Sequence, residues 1–233
     1  MPDLLDDLSC DSCLIRTHQL FRHLKDDEIQ KIAVNKITES YTRGSVIYQE
    51  GHRMKGFYCV QKGIIKIFKT GFDGKEQIIR FAKPGDIIGY RSVLSNEPAC
   101  TSTEVLEDCV VCHIPKADLI NLVKENGNFS LELLQLTCKE LGEANSYITD
   151  IAQKTVRERL AEIIIHLQDE FGKDESGILK LSLTREELAN IVGTATESVI
   201  RLLSEFKSEK LIELKGRKIK ILDDPGLKLI ANI

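Results

Sequence analysis

Residues 183–206 read LTREELANIVGTATESVIRLLSEF. Thr184, followed three residues later by Glu187, forms a capping box. Hydroxyl and carboxylate reciprocally satisfy amides at a helix start that have no intrahelical acceptor. Leu188, Ile191 and Val192 supply the apolar stripe of that helix, and Gly193 stands where a left-handed residue ends it. Thr194 and Glu197 repeat the capping-box spacing, which predicts a second helix with Val199, Leu202, Leu203 and Phe206 as its buried face. Two short capped helices joined by a glycine turn are the pattern of a helix-turn-helix.

In that arrangement Thr196, Glu197, Ser198 and Arg201 face away from the core at the start of the second helix. Arginine can bond guanine O6 and N7 together, and glutamate can accept from cytosine N4. A plain surface ion pair between Glu197 and Arg201, four residues apart, accounts for the same spacing. The next segment favours the first reading. From Arg201 to Lys220 stand seven basic residues and three acidic ones, a net +4 within a chain of net −4. Leu211–Leu214, Lys215–Lys218 and Ile219–Ile221 read as a hairpin with a basic tip. Such a wing, with Lys215 and Arg217 at its tip, contacts phosphates while the helix enters the major groove.

Upstream, the texture differs. From Tyr41 to Ile114 short β-branched and aromatic runs such as Val46–Tyr48, Phe57–Val60, Ile64–Phe68 and Cys109–Cys112 alternate with glycines. That spacing predicts an antiparallel sandwich or barrel, with a hairpin at Phe72-Asp73-Gly74-Lys75. From Lys116 the period becomes helical. Leu134, Leu141 and Ile148 recur every seven residues, with Cys138, Asn145 and Ala152 four residues after each. This seam suits pairing of two long helices, with Asn145 as a polar register mark. A long helix lying on its own sheet is the alternative. Phe171–Ser176 is a polar break.

The chain has 233 residues, enough for one large domain or two modest ones. With 29% charged and 42% hydrophobic residues it is an ordinary globular sequence, neither disordered nor fibrous. No apolar run reaches the roughly 20 residues that span a bilayer, and the acidic start does not suit a secretory signal. A cytoplasmic protein without a membrane partner is expected. Seven cysteines, an odd number, argue against a disulfide framework. The net charge of −4 means that nucleic acid must be met through a local basic patch.

The stretch Thr184–Ile212, together with Arg43–Gly51, Val60–Gly63 and Lys83–Gly89, resembles the CRP/FNR family of bacterial transcription regulators over nearly the whole chain. The resemblance implies an α+β fold in four parts. Residues 1–19 form an arm carrying a Cys-x-x-Cys, and residues 20–125 a cyclic-nucleotide-binding-like antiparallel β-roll or jelly roll. Residues 126–152 form a long central dimerisation helix, and residues 153–233 a winged helix-turn-helix. It also implies a homodimer on palindromic double-stranded DNA, RNA polymerase as partner if the protein activates, and a small-molecule or redox signal sensed by the N-terminal domain. Glu197 and Arg201 fall on the family's base-reading positions, with Thr194, Thr196 and Ser198 beside them. Thr196 stands where members that read TGTGA half-sites have arginine, so the resemblance does not carry that half-site over.

By the same resemblance an effector would lie near Gly85, Asp86, Gly89, Tyr90, Arg91, Cys100, Thr101 and, on the helix, Asn145. Cyclic-nucleotide binders have a glutamate where Tyr90 stands and an Arg-Ser pair where Cys100-Thr101 stands. No response to cAMP is therefore expected. Cys10, Cys13 and Cys112 match three of the four cluster ligands of oxygen-sensing members, while Gln19 stands at the fourth. Two readings stay open. Either these are free thiols, with Cys112 buried in a strand, or they hold an iron–sulfur cluster or zinc. The five histidines are scattered and no G-x-S-x-G or GKS/T is present, so an enzyme is not expected.

Overall fold

A computed structural model describes residues 20–233, which divide at Leu141/Gly142 into two compact units. The first unit opens with helix α1 (Asp26–Asn35), whose first turn holds three acidic residues and so complements the positive helix end. Then follow β1 (Ile37–Tyr41), β2 (Gly56–Thr70), β3 (Glu76–Ala82), β4 (Ile87–Ile88), helix α2 (Tyr90–Ser95), β5 (Ser102–Pro115), α3 (Lys116–Glu125) and the long helix α4 (Gly127–Gln153). The sheet is antiparallel in the order β1-β5-β2-β3, with β4 paired to β2.

Alternation along β2 builds two cores from one strand. Phe57 and Cys59 point to a cluster with Ile29, Leu119 and Phe129, while Val60 points to a second cluster with Tyr48 and Val111. Beyond the middle of the strand the parity reverses, because Ile65 and Ile67 join Val60 in the second cluster. The register between β2 and β5 shifts repeatedly from Val60 to Ile65, and a bulged strand gains the odd residue that flips its faces. Gly63 sits in this bulge at φ +88°, where a Cβ would lie 2.6 Å from the Asp108 carbonyl oxygen. Only glycine fits so close a crossing.

The expected hairpin turns at Phe72–Lys75, with the Gly71 carbonyl accepting from the Gly74 amide at 3.1 Å. Two expectations need correction. The run Val46–Tyr48 forms one isolated bridge, Val46 to Glu104, and no strand. Positive φ at Gly44 and Gly51 confines its pairing with β5 to a few separate bonds. Within the stretch expected to be strand-like, Tyr90–Ser95 is a helical turn, launched by Gly89 at φ +78°.

The second unit holds the end of α4, then α5 (Val156–Phe171), α6 (Arg185–Val192), α7 (Thr196–Ser208), the hairpin β6 (Ile212–Lys215) and β7 (Lys218–Ile221), and α8 (Asp224–Ala231). Its core draws on Leu160 and Ile164 of α5, Leu188 of α6, Val199 and Phe206 of α7, and Leu227 of α8, each with no exposed surface. Among the described residues no helix is long and apolar enough to cross a membrane.

Candidate nucleic-acid interface

The Thr184–Glu187 capping box forms as expected, the Glu187 amide donating to the Thr184 hydroxyl at 3.0 Å. Gly193 closes α6 at φ +73°. The second box does not form. Ala195 is the residue that precedes α7, and no side chain caps that helix. Thr194 is instead spent on the end of α6, where its amide donates to the Ala189 carbonyl at 3.1 Å. In so tight a turn the C-terminal closure of one helix takes the residue that could have capped the next.

Helix α7 buries Val199, Leu202, Leu203 and Phe206, as expected. Glu197, Ile200, Arg201, Ser204 and Lys207 are exposed on it, with Thr196 and Ser198 half-buried. Arg201 pairs with Glu205 one turn later (2.8 Å), which leaves Glu197 without an ion-pair partner among the described residues. Glu205 is shared. Arg157 of α5 reaches it at 3.3 Å, reaches Glu209 at 2.6 Å, and lies over the Phe206 ring at 4.8 Å.

Two further arginines, which sequence reasoning missed, fix the reading elements. Arg159 is 9% exposed and donates to three carbonyls: Val192 (2.9 Å), Lys154 (2.7 Å) and Gly193 (3.4 Å). These are carbonyls at helix ends, which have no intrahelical donor and carry negative partial charge. Arg159 thus ties the turn between α6 and α7 to the start of α5. Arg185 donates to the carbonyl of Gly216 at 2.8 Å and holds the tip of the hairpin. There Gly216 has φ +60°, and Lys215, Arg217 and Lys218 stand exposed. No local pattern marks either arginine, because all their acceptors except Lys154 are about 30 residues away in the chain.

In the first unit, Gly85 (φ +99°) and Asp86 make a tight turn between β3 and β4, the Asp86 carboxylate accepting from the Lys83 amide at 2.9 Å. Tyr90 is buried. That burial, with the Glu140 carboxylate nearby, pushes its phenol well above the usual range. Arg91 points outward and donates to the Sγ of exposed Cys100 at 3.2 Å, while Thr101 is buried. Arg80 of β3 pairs with Glu140 of α4 at 3.1 Å. Asn145 is exposed on α4 within the second unit, its carbonyl accepting from the Thr149 hydroxyl at 3.1 Å.

Cys10 and Cys13 lie outside the described residues. Cys112 is buried in β5 with the Thr38 hydroxyl 3.6 Å from its sulfur. Alone it defines no metal site, and among the described residues no three His, Cys, Asp or Glu side chains are grouped to hold an ion.

Two short helices joined by a glycine turn, an exposed and largely polar helix face and a basic hairpin define a winged helix-turn-helix, here joined to an antiparallel β domain through a long helix. Residues 38–126 match the cyclic nucleotide-binding domain, and residues 158–230 match the Crp-like helix-turn-helix domain. Electron transport regulator A of Shewanella oneidensis is 30% identical over 191 residues, 81% of this chain and 76% of that protein. The fumarate and nitrate reduction regulatory protein of Yersinia pestis is 27% identical over 88% of this chain and 82% of its own. A solved structure described as a putative regulator of the crp/fnr family from Eubacterium rectale shares the fold. It has a TM-score of 0.76 and 21% identity, and the match covers 92% of this chain and 98% of that one. The chain belongs to the CRP/FNR family and is a DNA-binding transcription regulator.

Proposed function

We propose that the protein works as a homodimer on a palindromic promoter site, each copy placing α7 in one of two successive major grooves, under control of a signal other than cAMP. The observation that carries this reading is the seam of α4. Leu134, Leu141 and Ile148 are 59%, 61% and 65% exposed at heptad spacing, far more water-facing apolar surface than a lone helix warrants. Two-fold pairing through that seam sets the reading helices about 34 Å apart, one turn of DNA. RNA polymerase is a partner if the effect is activation. Enrichment of a palindrome from random duplex DNA tests the reading, and a pool that stays unenriched or yields only half-sites sinks it.

On that site Glu197 and Arg201 read base edges, Thr194, Thr196 and Ser198 flank them, and Lys215 and Arg217 contact phosphates. Arg201→Ala is expected to lose about 1–3 kcal/mol, concentrated on one base pair of each half-site. Lys215→Ala and Arg217→Ala should weaken all sequences evenly, and each should flatten the salt dependence by about one unit of slope for every phosphate no longer neutralised. Titrations of matched and mismatched duplexes at several salt concentrations separate the two behaviours.

The effector pocket is proposed within the first unit, around Gly85, Asp86, Gly89, Tyr90, Arg91, Cys100 and Thr101. Its chemistry does not suit a cyclic phosphate. Arg80 is already paired with Glu140, and Arg91 lies outward against the Cys100 sulfur. Without an arginine inside, the phosphate forgoes a charge-assisted hydrogen bond of roughly 1.5–3 kcal/mol. Calorimetry with cAMP should show no saturable heat, and a saturating isotherm at physiological concentration would refute this.

A further inference from the structure

We infer that Ile200 is a specificity-determining residue that packs against the C5 methyl group of one thymine in each half-site. The inference rests on the DNA-reading role of α7. Every other exposed side chain on the outward face of that helix from Glu197 to Lys207 is polar or charged, and Ile200 is 49% exposed among them. At 3.6 residues per turn it lies about 60° from Glu197 and about 40° from Ser204, at the edge of the outward face and about 100–120° from Val199 and Phe206.

The folded chain covers only about half of this isoleucine. The side chain is half in water, and a β-branched residue is a poorer helix former than the alanine, lysine or arginine that an exposed site would take. A duplex supplies the missing partner. Thymine is the base that presents an apolar group, its methyl, in the major groove, and small apolar side chains recognise it by contact. Hydrogen-bonding neighbours on the same face, Glu197 and Arg201, suit the polar edges on either side. Ile200 therefore adds discrimination that hydrogen bonds cannot supply.

The test removes one methyl group at a time. The palindrome enriched by the wild-type chain is remade with single thymines replaced, symmetrically in both half-sites, by deoxyuridine, which keeps every hydrogen-bonding group. Fluorescence anisotropy of the wild type should show one thymine position at which affinity falls about three- to fivefold per half-site, the size expected for burying one methyl group. Ile200→Ala should bind the thymine duplex more weakly and be indifferent to deoxyuridine at that same position. Its melting temperature should fall by a few degrees at most, since about half of the side chain already stands in water. A wild type that enriches a palindrome yet ignores every missing methyl overturns the assignment, as does an Ile200→Ala chain that keeps the full deoxyuridine penalty. A wild type that enriches no sequence overturns the DNA reading itself, and this assignment with it.

Discussion

Leu141→Lys combined with Ile148→Lys should leave the chain monomeric and weaken binding to a full palindrome by a hundredfold or more. Burying one such side chain stabilises by about 1.5–3 kcal/mol, and a symmetric seam buries each of them twice. Losing even half of that total, with four lysines now facing one another, amounts to roughly 3–6 kcal/mol, or two to four decades in a dissociation constant. Both side chains already stand in water in the single chain, so the substitutions should not unfold it. Sedimentation equilibrium reads the association and circular dichroism checks the fold. A double variant that still sediments as a dimer removes α4 as the pairing element.

Arg159→Met should destabilise the second unit by about 3–5 kcal/mol, from three carbonyl acceptors left without a donor at roughly 1–3 kcal/mol each, partly relieved by water. The three carbonyls at Lys154, Val192 and Gly193 lose their donor in a place where Arg159 is 9% exposed, so water is a poor substitute. Arg159→Lys should recover a minor part, since a single ammonium lacks the fork that spans acceptors on two elements. Hydrogen exchange of the full chain localises the effect. Amides from 156 to 231 should lose protection while those of β2 and β5 keep theirs, and unchanged exchange in α6 and α7 would refute the role.

Much of this molecule is legible from local spacing, and its losses have local causes too. The Thr184–Glu187 box, the glycine at 193 and the apolar stripe of α7 all depend on residues within one or two turns, so the helix pair follows directly from the sequence. The false box at Thr194 shows the limit of the same logic. Spacing cannot say which of two adjoining helices claims a shared residue. Helix α8 goes unseen because its start, Asp223 with Pro225 beside it, follows a basic hairpin that reads as the end of the domain. The parity flip in β2 is invisible as well, since Gly63 owes its importance to a strand some 45 residues away. The outward face of α7 is legible in the sequence only at its polar members, and Ile200 becomes informative once its exposure is known.

Glu205 gives the reading arginine a companion before any operator arrives. A stretch of duplex that offers Arg201 only phosphate oxygens exchanges one anion for another and gains little. A guanine edge, with two acceptors in fork geometry, can draw the guanidinium away. Because Arg157 already pairs with the same carboxylate at 3.3 Å, release does not strand a bare negative charge. If Arg201 reads bases as proposed, the acidic residue beside it should act as a filter against promiscuous landing, trading raw affinity for discrimination.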